Sequence, residues 1–143
     1  MRFKFLASFR KKLVSQLPPR IYFAAVILLV EDEAPARYAF AQILRNHGHV
    51  VMEAADGLEA LDLLEKYHFH LVVTDLVMPN LSGFHLVARI RSTWPDTPII
   101  IMSAYFSEAA GQVLLAGKSE FIQKPIDPPA LVATVHRLVP GSN

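Results

Sequence analysis

Short runs built almost wholly of Val, Ile and Leu constrain this chain more than any other feature. They are Val26–Val30, Leu71–Val73 and Ile99–Met102, with Val50–Met52 and Phe121–Gln123 as weaker copies. Continuous apolar runs of this length suit strands covered on both faces. Helical patterns separate them. Pro35 sits where a first helical turn tolerates proline, and Ala36, Ala39, Phe40, Ile43 and Leu44 form an apolar stripe that closes at Gly48. Asp56-Gly57 turns into a second helix over Leu58–Tyr67, with Leu61 and Leu64 facing inward. Phe84, Val87 and Ile90 line a third helix that ends near Trp94-Pro95-Asp96. Residues 107–115 form a shorter fourth helix. Asp127-Pro128 starts the last one, where Leu131, Val135 and Leu138 face the core. Five strand–helix units predict a five-stranded parallel α/β sheet with right-handed crossovers and helices on both faces.

A chain of 143 residues fits one domain with a real core, and 52% hydrophobic against 19% charged residues belongs to a globular protein. No cysteine is present, which excludes a disulfide framework, a thiolate metal site and a cysteine nucleophile, and fits a reducing, cytoplasmic setting. The formal charge of +1 conceals an asymmetry. Arg2, Lys4, Arg10, Lys11, Lys12 and Arg20 lie within residues 1–25, which hold none of the 13 acids. The rest is therefore mildly acidic and offers no basic stripe for nucleic acid.

In the basic segment, Leu6, Phe9, Leu13 and Leu17 recur at helical spacing until Pro18-Pro19. A helix of this kind can make a weak membrane or partner contact through residues 1–20. A loosely ordered extension is the plainer reading and is preferred. The apolar stretch from Ile21 to Val30 is about half of a membrane span and leads straight into acids, so it reads as a strand rather than a signal peptide.

In open α/β sheets the ligand site lies beyond the carboxyl ends of the strands. The first strand ends in Glu31-Asp32, the third in Asp75, the fourth in Ser103-Ala104 and the fifth in Lys124-Pro125. Three carboxylates repel one another and hold a divalent cation, and all-oxygen ligation favours Mg²⁺ or Mn²⁺ over zinc. A lysine and a hydroxyl opposite them suit a transferring phosphoryl group, with a carboxylate as acceptor. Neither G-x-G-x-x-G nor the P-loop pattern occurs, which argues against nucleotide binding by those routes. The pairs His47/His49 and His68/His70 read as surface histidines, and Asp56-Gly57 and Asp96 as turn residues.

The stretches Val26–Glu33 (VILLVEDE), Leu71–Gly83 (LVVTDLVMPNLSG), Ile99–Ala104 (IIIMSA) and Phe121–Pro125 (FIQKP) resemble the response regulator receiver domain of bacterial two-component signalling. The likeness runs from about Val26 to Leu138. It implies a flavodoxin-like receiver fold with strand order 2-1-3-4-5, and a division into a basic extension (1–24), the receiver domain (25–140) and a tail (141–143). Asp75 would accept a phosphoryl group from a sensor histidine kinase or histidine phosphotransfer protein. Asp32, Asp75 and the Val77 backbone carbonyl would bind Mg²⁺, with Glu31 acting through water. Ser103 and Lys124 would meet the phosphoryl oxygens. Phe121 would be an aromatic switch on the face built by residues 107–115, the fifth strand and the last helix, to which an output partner binds.

Val77 and Tyr105 occupy the two positions that tune phosphoryl lifetime in related proteins, and neither orients an attacking water as a carboxylate or amide can. Slow self-dephosphorylation is therefore expected, and the chain counts as a phosphoacceptor rather than an enzyme. The sequence ends soon after the last helix, so output is expected through partner binding or onward transfer. Two other readings stay open: an interaction module that works without phosphorylation, and a phosphoaspartyl hydrolase. The hydrolase needs a second acid where Val77 stands.

Overall fold

The computed structural model describes residues 24–105, 111 and 117–139. The amphipathic pattern of residues 1–20, the tail and, Gly111 apart, the helix expected at 107–115 lie outside the described residues.

Five strands run parallel: β1 (Val26–Val30), β2 (Val50–Ala54), β3 (Leu71–Asp75), β4 (Ile99–Ser103) and β5 (Ser119–Gln123). Their order is β2-β1-β3-β4-β5, as the resemblance implied. Four helices are described: α1 (Ala34–Asn46), α2 (Gly57–Lys66), α3 (Gly83–Thr93) and α4 (Pro128–Leu138).

The apolar runs are continuous because both faces of the sheet are covered. Alternate side chains along a strand point to opposite faces. Leu28, Val30, Val72, Ile99 and Ile101 enter one core with Ala60 and Leu64 of α2 and Leu86 and Ile90 of α3. Ile27, Leu29, Val73, Ile100 and Met102 enter the other with Ala41 and Leu44 of α1 and Leu131 and Val135 of α4. Burying one such Leu or Ile contributes roughly 1.5–3 kcal/mol, so these central residues hold the sheet between its two helix layers.

Some helix faces differ from the periodic reading. In α1 the buried residues are Ala41 and Leu44, while Ala39 is exposed and Phe40 and Ile43 are partly buried. In α3, Leu86 takes the place expected for Phe84, which is 46% exposed. Each helix is turned slightly from the stripe that counting apolar residues favours, because fit against the sheet decides the face. Asp127 caps α4 by position but without a side-chain hydrogen bond, while Pro128 does occupy the first turn. No helix among the described residues is long and apolar enough to cross a membrane.

Candidate functional site

Parallel strands bring their carboxyl ends to one edge, so the residues after β1, β3, β4 and β5 meet there. Glu31 follows β1 and is fully buried, and its N–H donates to the Ala54 carbonyl at 3.0 Å. Arg37 of α1 donates from Nη1 to the Glu31 carbonyl at 2.8 Å, and its Nε lies 3.4 Å from Glu53 Oε1. That pair fixes the corner from the helix side. Asp32, the next residue, is exposed.

Asp75 is the last residue of β3, in register with Met102, and only 7% exposed. Its Oδ1 accepts from the N–H groups of Leu76 at 2.6 Å and Val77 at 3.2 Å. The chain then turns into α3 at Gly83, whose N–H donates to the Leu76 carbonyl at 2.9 Å. A Cβ on Gly83 would sit 2.2 Å from the Asp75 carbonyl oxygen and 2.5 Å from Leu76 Cα. Glycine is there because the backbones touch.

Ser103 ends β4, is buried, and its Oγ accepts from the Tyr105 N–H at 3.2 Å. The register of β5 against β4 pairs Ser103 with Gln123, and Lys124 extends it by donating its N–H to the Ser103 carbonyl at 2.8 Å. From this position Lys124 Nζ reaches Asp75 Oδ2 at 2.5 Å and Glu31 Oε1 at 3.2 Å. The Lys124–Pro125 peptide is cis.

The structure thus brings Glu31, Asp32, Asp75 and Lys124 together, with Ser103 tied to Lys124 through the backbone. Ligand atoms of Glu31, Asp32 and Asp75 all lie within 4.8 Å of one another. Val77 and Tyr105 stand outward, 73% and 85% exposed. Phe121 lies outside the pocket, opposite Ile101 in the sheet and packed against the core under α2 and α3.

Electrostatics follow from this crowding. Burial pushes the Glu31 carboxyl up to about 7, the neighbouring Asp75 carboxylate adds to the rise, and the Lys124 charge opposes it. Burial pulls Lys124 down, yet its bond to Asp75 and the charge of Glu31 outweigh that and raise it above the ordinary lysine value. Glu31 Oε2 is buried and has no hydrogen-bond partner. An orphaned carboxylate oxygen beside two further acids fits a hard divalent cation, and exposed Asp32 leaves a side open for coordinating water.

Three features were missed from sequence. Arg37 reaches the site by packing alone, without a motif. Asp56, read as turn chemistry, also hydrogen-bonds Asn80 at 2.7 Å, 24 residues on. His49 is no surface histidine: it is 5% exposed, and its Nδ1 accepts from the Ala25 N–H at 3.1 Å. It lies near His136, with ring centroids 5.8 Å apart. The spacing of His47 and His49 says nothing about a cover, and only the fold shows that α4 brings His136 onto His49.

The family described as the response regulator receiver domain matches residues 27–136. Sensor kinase CckA of Brucella abortus is 37% identical over 119 residues, which span 81% of this chain and 13% of that protein. Response regulator protein FleR of Pseudomonas aeruginosa is 33% identical over 124 residues, 83% of this chain and 26% of FleR. A 14.6 kDa protein from the sodA1 3' region of Leptolyngbya boryana is 34% identical, and there the match covers 87% of the relative. Among solved structures, the chemotaxis protein CheY4 of Vibrio cholerae superposes with a TM-score of 0.74 at 30% identity, covering 81% of this chain and 99% of CheY4. With residues 27–136 matched and a relative of similar length covered almost throughout, this chain belongs to the response regulator receiver domain family of two-component signalling.

Proposed function

We propose that Asp75 accepts a phosphoryl group from a sensor histidine kinase or a histidine phosphotransfer protein, and that the acyl phosphate switches partner binding. Receiver domains of two-component response regulators act in general as phosphorylation-dependent switches and non-enzymatic phosphoacceptors. One observation carries the assignment to Asp75. It is a nearly buried carboxylate held by two backbone N–H groups on Oδ1 and by Lys124 on Oδ2, with Glu31 and Asp32 beside it.

In the transfer, a carboxylate oxygen of Asp75 attacks the phosphorus of a phosphohistidine on the donor. The P–O bond forms as the P–N bond breaks, and the departing imidazole takes up one proton. Lys124 neutralises phosphoryl oxygens and the Ser103 hydroxyl hydrogen-bonds one of them. Asp32, Asp75 and the Val77 carbonyl would hold a divalent cation, with Glu31 acting through water, and that ion would supply the remaining charge neutralisation. Phe121 relays the change by repacking, since it has no hydroxyl to re-bond. Output passes through the face of β5 and α4. The domain spans 25–140 and works in the cytoplasm, and residues 1–20 add at most a weak contact.

Relatives that include a sensor kinase and response regulators support a histidine kinase as donor. The hydrolase reading fails on Val77, which carries no acid. The phosphorylation-independent reading leaves the clustered acids and Lys124 without a purpose. Incubation with acetyl phosphate and Mg²⁺, followed by intact mass, tests the assignment. One phosphoryl adduct is expected on the wild-type chain and none on Asp75→Ala; an adduct that survives the substitution moves the acceptor elsewhere.

A further inference from the structure

Asp56 lies across the sheet edge from the acid pocket, and both of its carboxylate oxygens are in use. Oδ1 accepts from the Glu59 N–H at 2.8 Å and caps α2. Oδ2 accepts from Asn80 Nδ2 at 2.7 Å. These bonds hold its carboxyl below the ordinary carboxylate range, the Glu59 N–H first and Asn80 second. Asn80 has a φ of 68°, a left-handed conformation that asparagine tolerates better than most residues. A capping aspartate needs only one oxygen. The second is spent on a loop 24 residues away.

That loop joins β3 to α3 and carries the groups nearest Asp75. Leu76 and Val77 donate to Asp75 Oδ1. The loop's far end is anchored at Gly83, where backbone meets backbone. Its middle rests on the start of α2: a Cβ on Gly57 would lie 2.6 Å from the Leu81 carbonyl oxygen and 2.7 Å from Leu81 Cβ. Asp56 and Gly57 therefore act together, one bonding Asn80 and the other giving Leu81 room. Val77, between the end of β3 and the Asn80 anchor, is 73% exposed.

We infer that Asp56 is a positioning residue for the phosphoacceptor site: through Asn80 it sets the β3–α3 loop so that the Leu76 and Val77 N–H groups meet Asp75 and the Val77 carbonyl meets the cation. This rests on the function proposed for Asp75. Asp56 touches neither cation nor phosphoryl group, and its effect is transmitted by one side-chain hydrogen bond. Groups that orient ligands from behind commonly change metal affinity on the order of tenfold or more when removed.

Asn80→Gly separates this role from a merely structural one, because glycine keeps the positive φ and removes only the bond. Its Mg²⁺ dissociation constant, read by calorimetry, is expected to rise on the order of tenfold, and phosphorylation by acetyl phosphate to slow. Asp56→Asn is the rescue variant: its oxygen still caps α2 on the Glu59 N–H, and its Nδ2 donates to the Asn80 side-chain oxygen once that amide turns over, so affinity stays close to wild type. Asp56→Ala with Asn80→Gly is expected to weaken Mg²⁺ binding no further than Asp56→Ala alone. Asn80→Gly with wild-type Mg²⁺ affinity overturns the latch, and so does a fall in thermal midpoint with affinity unchanged. A wild-type chain that takes up neither Mg²⁺ nor phosphoryl overturns the site assignment, and the latch with it.

Discussion

Lys124 stands between two carboxylates that a cation would also claim. Its ammonium touches Asp75 and Glu31 at once. Near a protein surface two unit charges 4 Å apart exchange about 4 kcal/mol, so the lysine and a divalent ion compete. Lys124→Met is therefore expected to bind Mg²⁺ more tightly, by about tenfold or about 1.4 kcal/mol, in calorimetric titration; weaker binding would contradict the competition. The same variant should still take an adduct on Asp75 but more slowly, having lost the charge that meets phosphoryl oxygens. Val77 and Tyr105 make a second statement at this scale. Both side chains point to solvent without a carboxylate or amide to hold a water. The phosphoryl half-life in Mg²⁺ without a phosphatase is expected well beyond seconds, and decay within seconds would refute the role given to these positions. The pocket was legible at this scale because strand ends advertise polar residues: Glu31, Asp32, Asp75 and Lys124 all stand at or just past the end of an apolar run.

Between elements, His49 ties the start of β2 to Ala25, just ahead of β1. Burial lowers it from the ordinary 6.5 to about 4, with the charges of His136 and His47 adding to the drop. Because Nδ1 accepts the Ala25 N–H, protonation would break that bond as well as bury a charge. The unfolded chain binds the proton more readily, so this stabilisation is complete above pH 6.5 and is lost as pH falls toward 4. The whole effect is about 3 kcal/mol. Glu31 tilts the other way: its raised value makes its contribution full below pH 4.5 and lost as pH rises through about 7. The difference between denaturation curves of wild type and His49→Asn isolates the histidine. The gap is expected to close on acidification; a constant gap from pH 7 to 4 would dismiss the buried-histidine account. None of this was legible in the sequence. His49 and His136 are 87 positions apart, and only the packing of α4 over α1 makes one the neighbour of the other. Asn80 and Asp56 were hidden likewise, since a capping signature at Asp56–Glu59 says nothing about who takes the second oxygen.

For the molecule as a whole, strand number and both covered faces were readable because parallel burial leaves runs such as Ile99–Ile100–Ile101 without alternation. Helix rotation was not, and Phe84 and Ala39 show why: apolar residues also occur on exposed faces, and only the fit against the sheet selects among them. The two cores lie on opposite faces of the sheet, while the pocket sits at its edge and is made from residues at strand ends and just beyond them. Core positions accept many volume-conserving hydrophobic exchanges, whereas the pocket depends on particular charges at particular atoms. Over evolutionary time such a division lets the interior drift through most of its letters while the chemistry held by Glu31, Asp32, Asp75, Ser103 and Lys124 stays tied to those side chains.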